Sequence, residues 1–113
     1  MLPSPQRMRS ADEFRATVRG GVRAGRSSVV VHATTSPEAG RRVGFVVSKA
    51  VGNAVIRNRV KRRLRHLAVN QLATSPDHTR WVIRALPPSS AAGAELGADL
   101  GDAWARCLRK LTR

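Results

Sequence analysis

The sequence predicts a single α/β (α+β) two-layer sandwich, a small sheet covered by helices in the order α-β-β-α-β-α, with room for one further short strand. Three observations carry this. The chain has 113 residues of which 42% are hydrophobic, enough for one modest core and too apolar for a chain that stays unfolded. Short β-branched runs with period-two alternation lie at Ser28–Thr34 and Val43–Val47. Longer stretches between and after them place apolar residues three and four apart, the spacing of a helix with one buried face.

Taken in order, Ser10-Ala11-Asp12-Glu13 has capping-box spacing, with Ser10 as N-cap and Glu13 reaching back to its amide. Phe14 and Val18 follow four apart before Gly20-Gly21, which predicts a helix over about 11–19. The runs Ser28–Thr34 and Val43–Val47, separated by a Pro- and Gly-containing stretch from Thr35 to Gly40, read as a two-stranded hairpin. Gly52-Asn53 breaks the strand period, and Ile56, Val60, Leu64, Leu67 and Leu72 then predict a helix over about 54–72. Thr74–His78 reads as a loop, Trp81–Leu86 as a short strand and Pro87–Ser90 as a break. A last helix from near Ala91 carries the apolar stripe Leu96, Leu100, Ala103, Cys107, Leu108 and Leu111, weakened toward its start by Gly97 and Gly101. Trp81 and Trp104 are expected in the core.

Charge narrows the function. Lys and Arg number 21 against 7 Asp and Glu, a formal charge of +14. No acidic side chain lies between Glu38 and Asp77, where Arg41, Arg42, Lys49, Arg57, Arg59, Lys61, Arg62, Arg63 and Arg65 all fall. The preference for Arg, whose planar fork pairs with phosphate and stacks on bases, points to a nucleic acid. No apolar run exceeds three residues, so neither a membrane span nor a secretory leader is expected and the setting reads as cytoplasmic. Cys107 stands alone, His66 and His78 have no ligand set around them and the acids are scattered, so no catalytic residues and no metal ligands are expected on this chain.

On the second predicted helix the apolar positions fill a third of the circle, while the cations and Asn58 occupy most of the rest. A DNA-reading helix-turn-helix would need another helix just before it, where Val43–Ser48 alternates as a strand instead. A membrane-surface helix would need large apolar residues on its outer face.

The run Val43-Gly44-Phe45-Val46-Val47-Ser48-Lys49, then Gly52-Asn53-Ala54-Val55, then Arg57-Asn58-Arg59-Val60-Lys61-Arg62-Arg63-Leu64-Arg65 resembles the signature of the protein subunit of bacterial ribonuclease P. Arg7-Met8-Arg9, Glu13-Phe14, Gly21 and the late strand and helix extend the likeness over nearly the whole chain. The resemblance implies a left-handed βαβ crossover and one RNA-binding domain over residues 1–113, with 1–9 partly flexible. It implies a single copy partnered by the catalytic RNA of ribonuclease P and by precursor tRNA, whose 5′ leader the RNA and its Mg²⁺ ions remove. The alternative is a ribosomal-type or other structural RNA-binding protein.

Two surfaces follow from the resemblance. Arg57, Asn58, Arg59, Lys61, Arg62 and Arg65 would face the catalytic RNA. The single-stranded leader would lie in a cleft between the first helix and the sheet, on Phe14, Val30, His32, Gly44, Val46, Ser48 and Lys49. Alternation alone supports this face: Val29 and Val31 share one side with Val43, Phe45 and Val47, leaving Ser28, Val30 and His32 beside Gly44, Val46 and Ser48 on the other. Val18 and His32 stand where the family often has Phe and Tyr, and Ala50 where it has a second Lys. Weak base stacking and a grip that rests on phosphates are therefore expected.

Overall fold

A computed structural model describes residues 2, 4–8 and 10–112; Arg9, part of the N-terminal likeness, lies outside the described residues. Helix α1 spans Ala11–Gly20, and Ser10 caps it by accepting from the amides of Asp12 (3.1 Å) and Glu13 (3.3 Å). The second half of the capping box does not form. Glu13 turns its carboxylate to the sheet, where Oε2 accepts from Arg80 at 3.0 Å and Arg42 at 3.3 Å, because two guanidinia outcompete one peptide N–H for the same anion.

Four strands follow: β1 (Val22–Gly25), β2 (Val29–Thr35), β3 (Arg41–Val46) and, after helix α2 (Ala54–Ala73), β4 (Thr79–Ala85). The sheet order is β1-β2-β4-β3. This corrects the expected hairpin: β2 and β3 do not pair. Strand β4 enters between them, antiparallel to β2 and parallel to β3, so β3–α2–β4 is a crossover unit. The strand that β2 does meet at a tight turn is β1, whose four residues between Gly21 and Arg26 are too few to show alternation in the sequence. Strand β4 also begins two residues earlier than expected.

One face of the sheet and the two long helices enclose the core. Val29, Val31, Ala33, Val43, Trp81 and Ile83 meet Val60, Leu64, Ala68 and Leu72 of α2 and Leu96, Leu100, Ala103, Trp104 and Cys107 of helix α3 (Glu95–Leu111). Trp81 and Trp104 stack with centroids 3.9 Å apart, and their indole N–H groups donate to Thr79 and Ser75 hydroxyls at 3.0 and 2.8 Å. Both therefore occupy the expected core positions. Helix α3 starts at Glu95 rather than near Ala91: Pro87–Ala91 winds as a 3₁₀ turn, and Gly93 at φ +53° in the left-handed region separates the two. Within residues 1–9, Leu2 and Met8 are buried, and the Met8 amide donates to the Val43 carbonyl at 3.0 Å along the outer edge of β3.

Candidate nucleic-acid interface

The face of the sheet opposite the core is partly covered by α1. Cross-strand register sets its rows: Thr34–Arg80–Arg42, then Arg23–His32–Val82–Gly44, then Gly25–Val30–Arg84–Val46. Val30, His32, Gly44 and Val46 thus share one face, as alternation predicted. Helix α1 lies over the first row and the Gly44 end of the second. Phe14 occupies the space above Gly44 so closely that a Cβ there would stand 2.3 Å from its ring. The third row stays open, with Val30 and Val46 half-buried and Arg84 exposed at its centre.

Three of the expected neighbours are elsewhere. Ser28 precedes β2 and is buried against α3, its amide and hydroxyl donating to Asp99 Oδ2 at 3.2 and 2.6 Å; a buried carboxylate draws in the nearest donors regardless of strand phase. Ser48 and Lys49 lie exposed beyond the end of β3, in a turn where the Ser48 carbonyl accepts from Val51 and the Lys49 carbonyl from Gly52. They border the face rather than floor it.

Sequence reasoning missed Arg23 and Arg84. Both are exposed, neither has a carboxylate within 4.0 Å among the described residues, and they flank His32 across the sheet. Burial first, then the Arg84 and Arg23 guanidinia, hold the His32 imidazole below its ordinary pKa. The signal for Arg84 was its period-two relation to Val82: it is the one charged residue in the expected strand Trp81–Leu86. With no aromatic side chain in the open row, what it offers a single strand is an apolar floor with Arg84 at its centre and Arg23 on the neighbouring row.

Helix α2 supplies the second surface. Asn53 caps it, accepting from the Ile56 amide at 3.0 Å. Val60, Leu64, Ala68 and Leu72 face the core, which turns Asn58, Arg59 and Arg62 to solvent and leaves Arg57, Lys61 and Arg65 half-buried along one flank. Arg63 differs: it donates to the Gly93 carbonyl and so ties α2 to the start of α3. Among the described residues, no carboxylate comes within 4.0 Å of any α2 cation.

The two surfaces are not separate. A pocket at the edge of β3 is lined by Arg7, Phe14, Gly44, Phe45, Lys61 and Arg65, so residues expected to face the leader and residues expected to face the catalytic RNA share one cavity. The helix flank and the sheet face meet where α1 ends its cover. No helix is long and apolar enough to cross a membrane. Among the described residues, no three His, Cys, Asp or Glu side chains are grouped so as to share a metal ion.

Residues 2–108 match the family model described as Ribonuclease P. The chain is 50% identical over 111 residues to the ribonuclease P protein component of Kocuria rhizophila, covering 97% of this chain and 98% of the relative. It is 47% identical over 123 residues to that of Streptomyces bikiniensis, covering all of both chains. Among solved structures, the RNase P protein of Staphylococcus aureus superposes with a TM-score of 0.80 at 21% identity, covering 91% of this chain and 97% of that one. That of Thermotoga maritima gives 0.72 at 21% identity over 85% and 92%. At such identities these two show the shared fold.

Proposed function

The chain belongs to the ribonuclease P protein family, the protein component of the ribonucleoprotein that trims the 5′ leader from precursor tRNA, and from that premise we propose how its surfaces divide the work. The flank and outer face of α2, with Arg57, Asn58, Arg59, Lys61, Arg62 and Arg65, bind the catalytic RNA through its phosphates and shape. The sheet face beside α1 holds the single-stranded leader on Val30, His32, Val46 and the edge residues Ser48 and Lys49. Phe14, seated over Gly44, is its one aromatic platform, and Arg23 and Arg84 supply phosphate contacts. The chemistry belongs to the RNA partner with its Mg²⁺ ions; this chain binds and orients. One copy acts in each holoenzyme, in the cytoplasm.

The observation that carries this reading is the cation array of α2, which among the described residues has no carboxylate partner. Like charges three and four apart on a helix repel, at roughly 0.2–0.5 kcal/mol per pair, and phosphates relieve that cost. The pocket shared by Phe14, Gly44, Lys61 and Arg65 lets one RNA path continue into the other. The test is a mixture of the protein with a bacterial ribonuclease P RNA and precursor tRNA at low Mg²⁺. Mature 5′ ends are expected faster than with RNA alone, and RNA-free protein is expected to cleave nothing. Equal rates with and without the protein would overturn the proposal.

A further inference from the structure

Helix α1 forms one wall of the proposed leader site, yet it buries little. Thr17 is its one fully buried side chain, and the Thr17 hydroxyl is satisfied inside the helix by the Glu13 carbonyl at 2.9 Å. Phe14 and Val18 are half-buried. Apolar burial of this size leaves a ten-residue helix weakly fixed on a sheet.

The sheet beneath it contains an unusual group. Arg80 lies on β4, between Thr34 of β2 and Arg42 of β3, and is 2% exposed. A guanidinium so enclosed needs partners for its donors. Its Nε donates to Glu13 Oε2 at 3.0 Å, and one terminal nitrogen donates to the carbonyls of Gly40 (2.7 Å) and Thr79 (2.9 Å). The other reaches the Glu38 and Ala39 carbonyls at 3.4 and 3.5 Å. Carbonyl dipoles satisfy its hydrogens; the close carboxylate that balances its charge comes from α1. Arg42 adds a second guanidinium to the same oxygen at 3.3 Å.

We infer that Arg80 and Glu13 are positioning residues for the leader site: the ion pair of buried Arg80 with half-buried Glu13 docks α1 on the sheet and thereby holds Phe14, the next residue, over Gly44. The inference rests on the assignment of this face to the leader. Glu38 Oε2 also lies 4.0 Å from a terminal nitrogen of Arg80, but that carboxylate is 71% exposed and belongs to the loop before β3. Removing the Glu13 carboxylate therefore takes away the close counter-charge under α1, and the helix is expected to loosen and the Phe14 platform with it.

The experiment compares Phe14→Ala, Glu13→Gln and Arg80→Lys in the reconstituted holoenzyme, measuring affinity for precursor and mature tRNA, affinity for the catalytic RNA, and amide hydrogen exchange in α1. Phe14→Ala is expected to weaken precursor tRNA about tenfold, the loss of roughly one stacked base, and to leave mature tRNA unchanged. Glu13→Gln, isosteric but uncharged, is expected to approach that loss, with faster exchange in α1 and unchanged affinity for the catalytic RNA. Arg80→Lys keeps the charge without the fork and is expected to fall between. Should Glu13→Gln fail to fold, combining it with Arg80→Met removes both charges and is expected to show the same selective loss. If Phe14→Ala loses precursor affinity while the pair variants retain it and α1 exchanges at the wild-type rate, the positioning role is wrong and the leader assignment stands. If Phe14→Ala changes neither tRNA's affinity, the leader assignment itself falls and the inference falls with it.

Discussion

Gly44 and His32 stand side by side on the sheet face, separated only by Val82, and each is decided by what lies above it. Gly44 is where it is because Phe14 fills the place of a side chain, so Gly44→Ala should act through Phe14 rather than by narrowing an empty cleft. The expected outcome is precursor-tRNA affinity lowered by about 1–3 kcal/mol in a holoenzyme titration, with mature tRNA unaffected. His32 is buried, and burial first, then the guanidinia of Arg84 and Arg23, disfavour its protonated form. Its pKa is depressed on folding, so its stability contribution is complete above the ordinary imidazole value of 6.5 and is lost as pH falls through the depressed folded value. Urea unfolding from pH 7.5 down to 5 should therefore show declining stability that is flatter in His32→Gln. Asp99 behaves with the same sign at lower pH: its pKa is held below 3.8, first by the Ser28 hydroxyl, with the Ser27 hydroxyl and the Ser28 amide adding to it. The two contributions separate along the pH axis.

At the scale of the element, α2 shows most directly how a sequence pattern becomes a surface. A four-residue period of Val60, Leu64, Ala68 and Leu72 anchors one side, and the remaining positions face outward by geometry alone. Replacing Arg57, Arg59 and Arg62 with Ala should weaken assembly with the catalytic RNA and reduce the slope of log K against log salt by about 0.7–0.9 for each phosphate no longer neutralised. Fluorescence binding isotherms across a salt series measure this, and an unchanged slope would place the RNA on another surface. Arg63 provides the internal control, since its guanidinium is held by the Gly93 carbonyl and its removal should loosen the start of α3 more than it alters the slope.

For the molecule as a whole, the +14 charge and the core act in opposite directions. Self-repulsion among exposed cations opposes compaction, so added NaCl should raise the Tm of the free protein while weakening RNA binding, two effects of opposite sign from one cause. Calorimetry and binding measured over the same salt series would test the pair of signs together. Against the repulsion stands the stack of Trp81 on Trp104 at the centre of both layers. Trp104→Ala should cost about 3–5 kcal/mol in urea unfolding, the range for loss of a large buried aromatic. Cys107 reports the same transition: burial pushes its thiol to about 11, so alkylation at pH 8 should track global unfolding.

The sequence by itself determined what is local. Helix periods, the Ser10 cap, the basic face of α2 and the alternation that puts Val30 on one side with His32, and Gly44 on one side with Val46, all depend on residues within a few positions of one another, where backbone geometry admits one outcome. The signature through Arg65 was legible for the same reason. Only the tertiary structure decided what depends on distant segments meeting. Strand β4 lies between β2 and β3, which dissolves the expected hairpin, and that placement brings Arg84 beside His32 and Arg80 beneath Glu13. Ser28 turned inward because Asp99, 71 residues away, needed its donors. Spacing along the chain constrains neither strand order nor which buried charge finds which partner. Those are set by burying the apolar faces of α2 and α3 together on one side of the sheet, which leaves the other side to α1 and the proposed leader site.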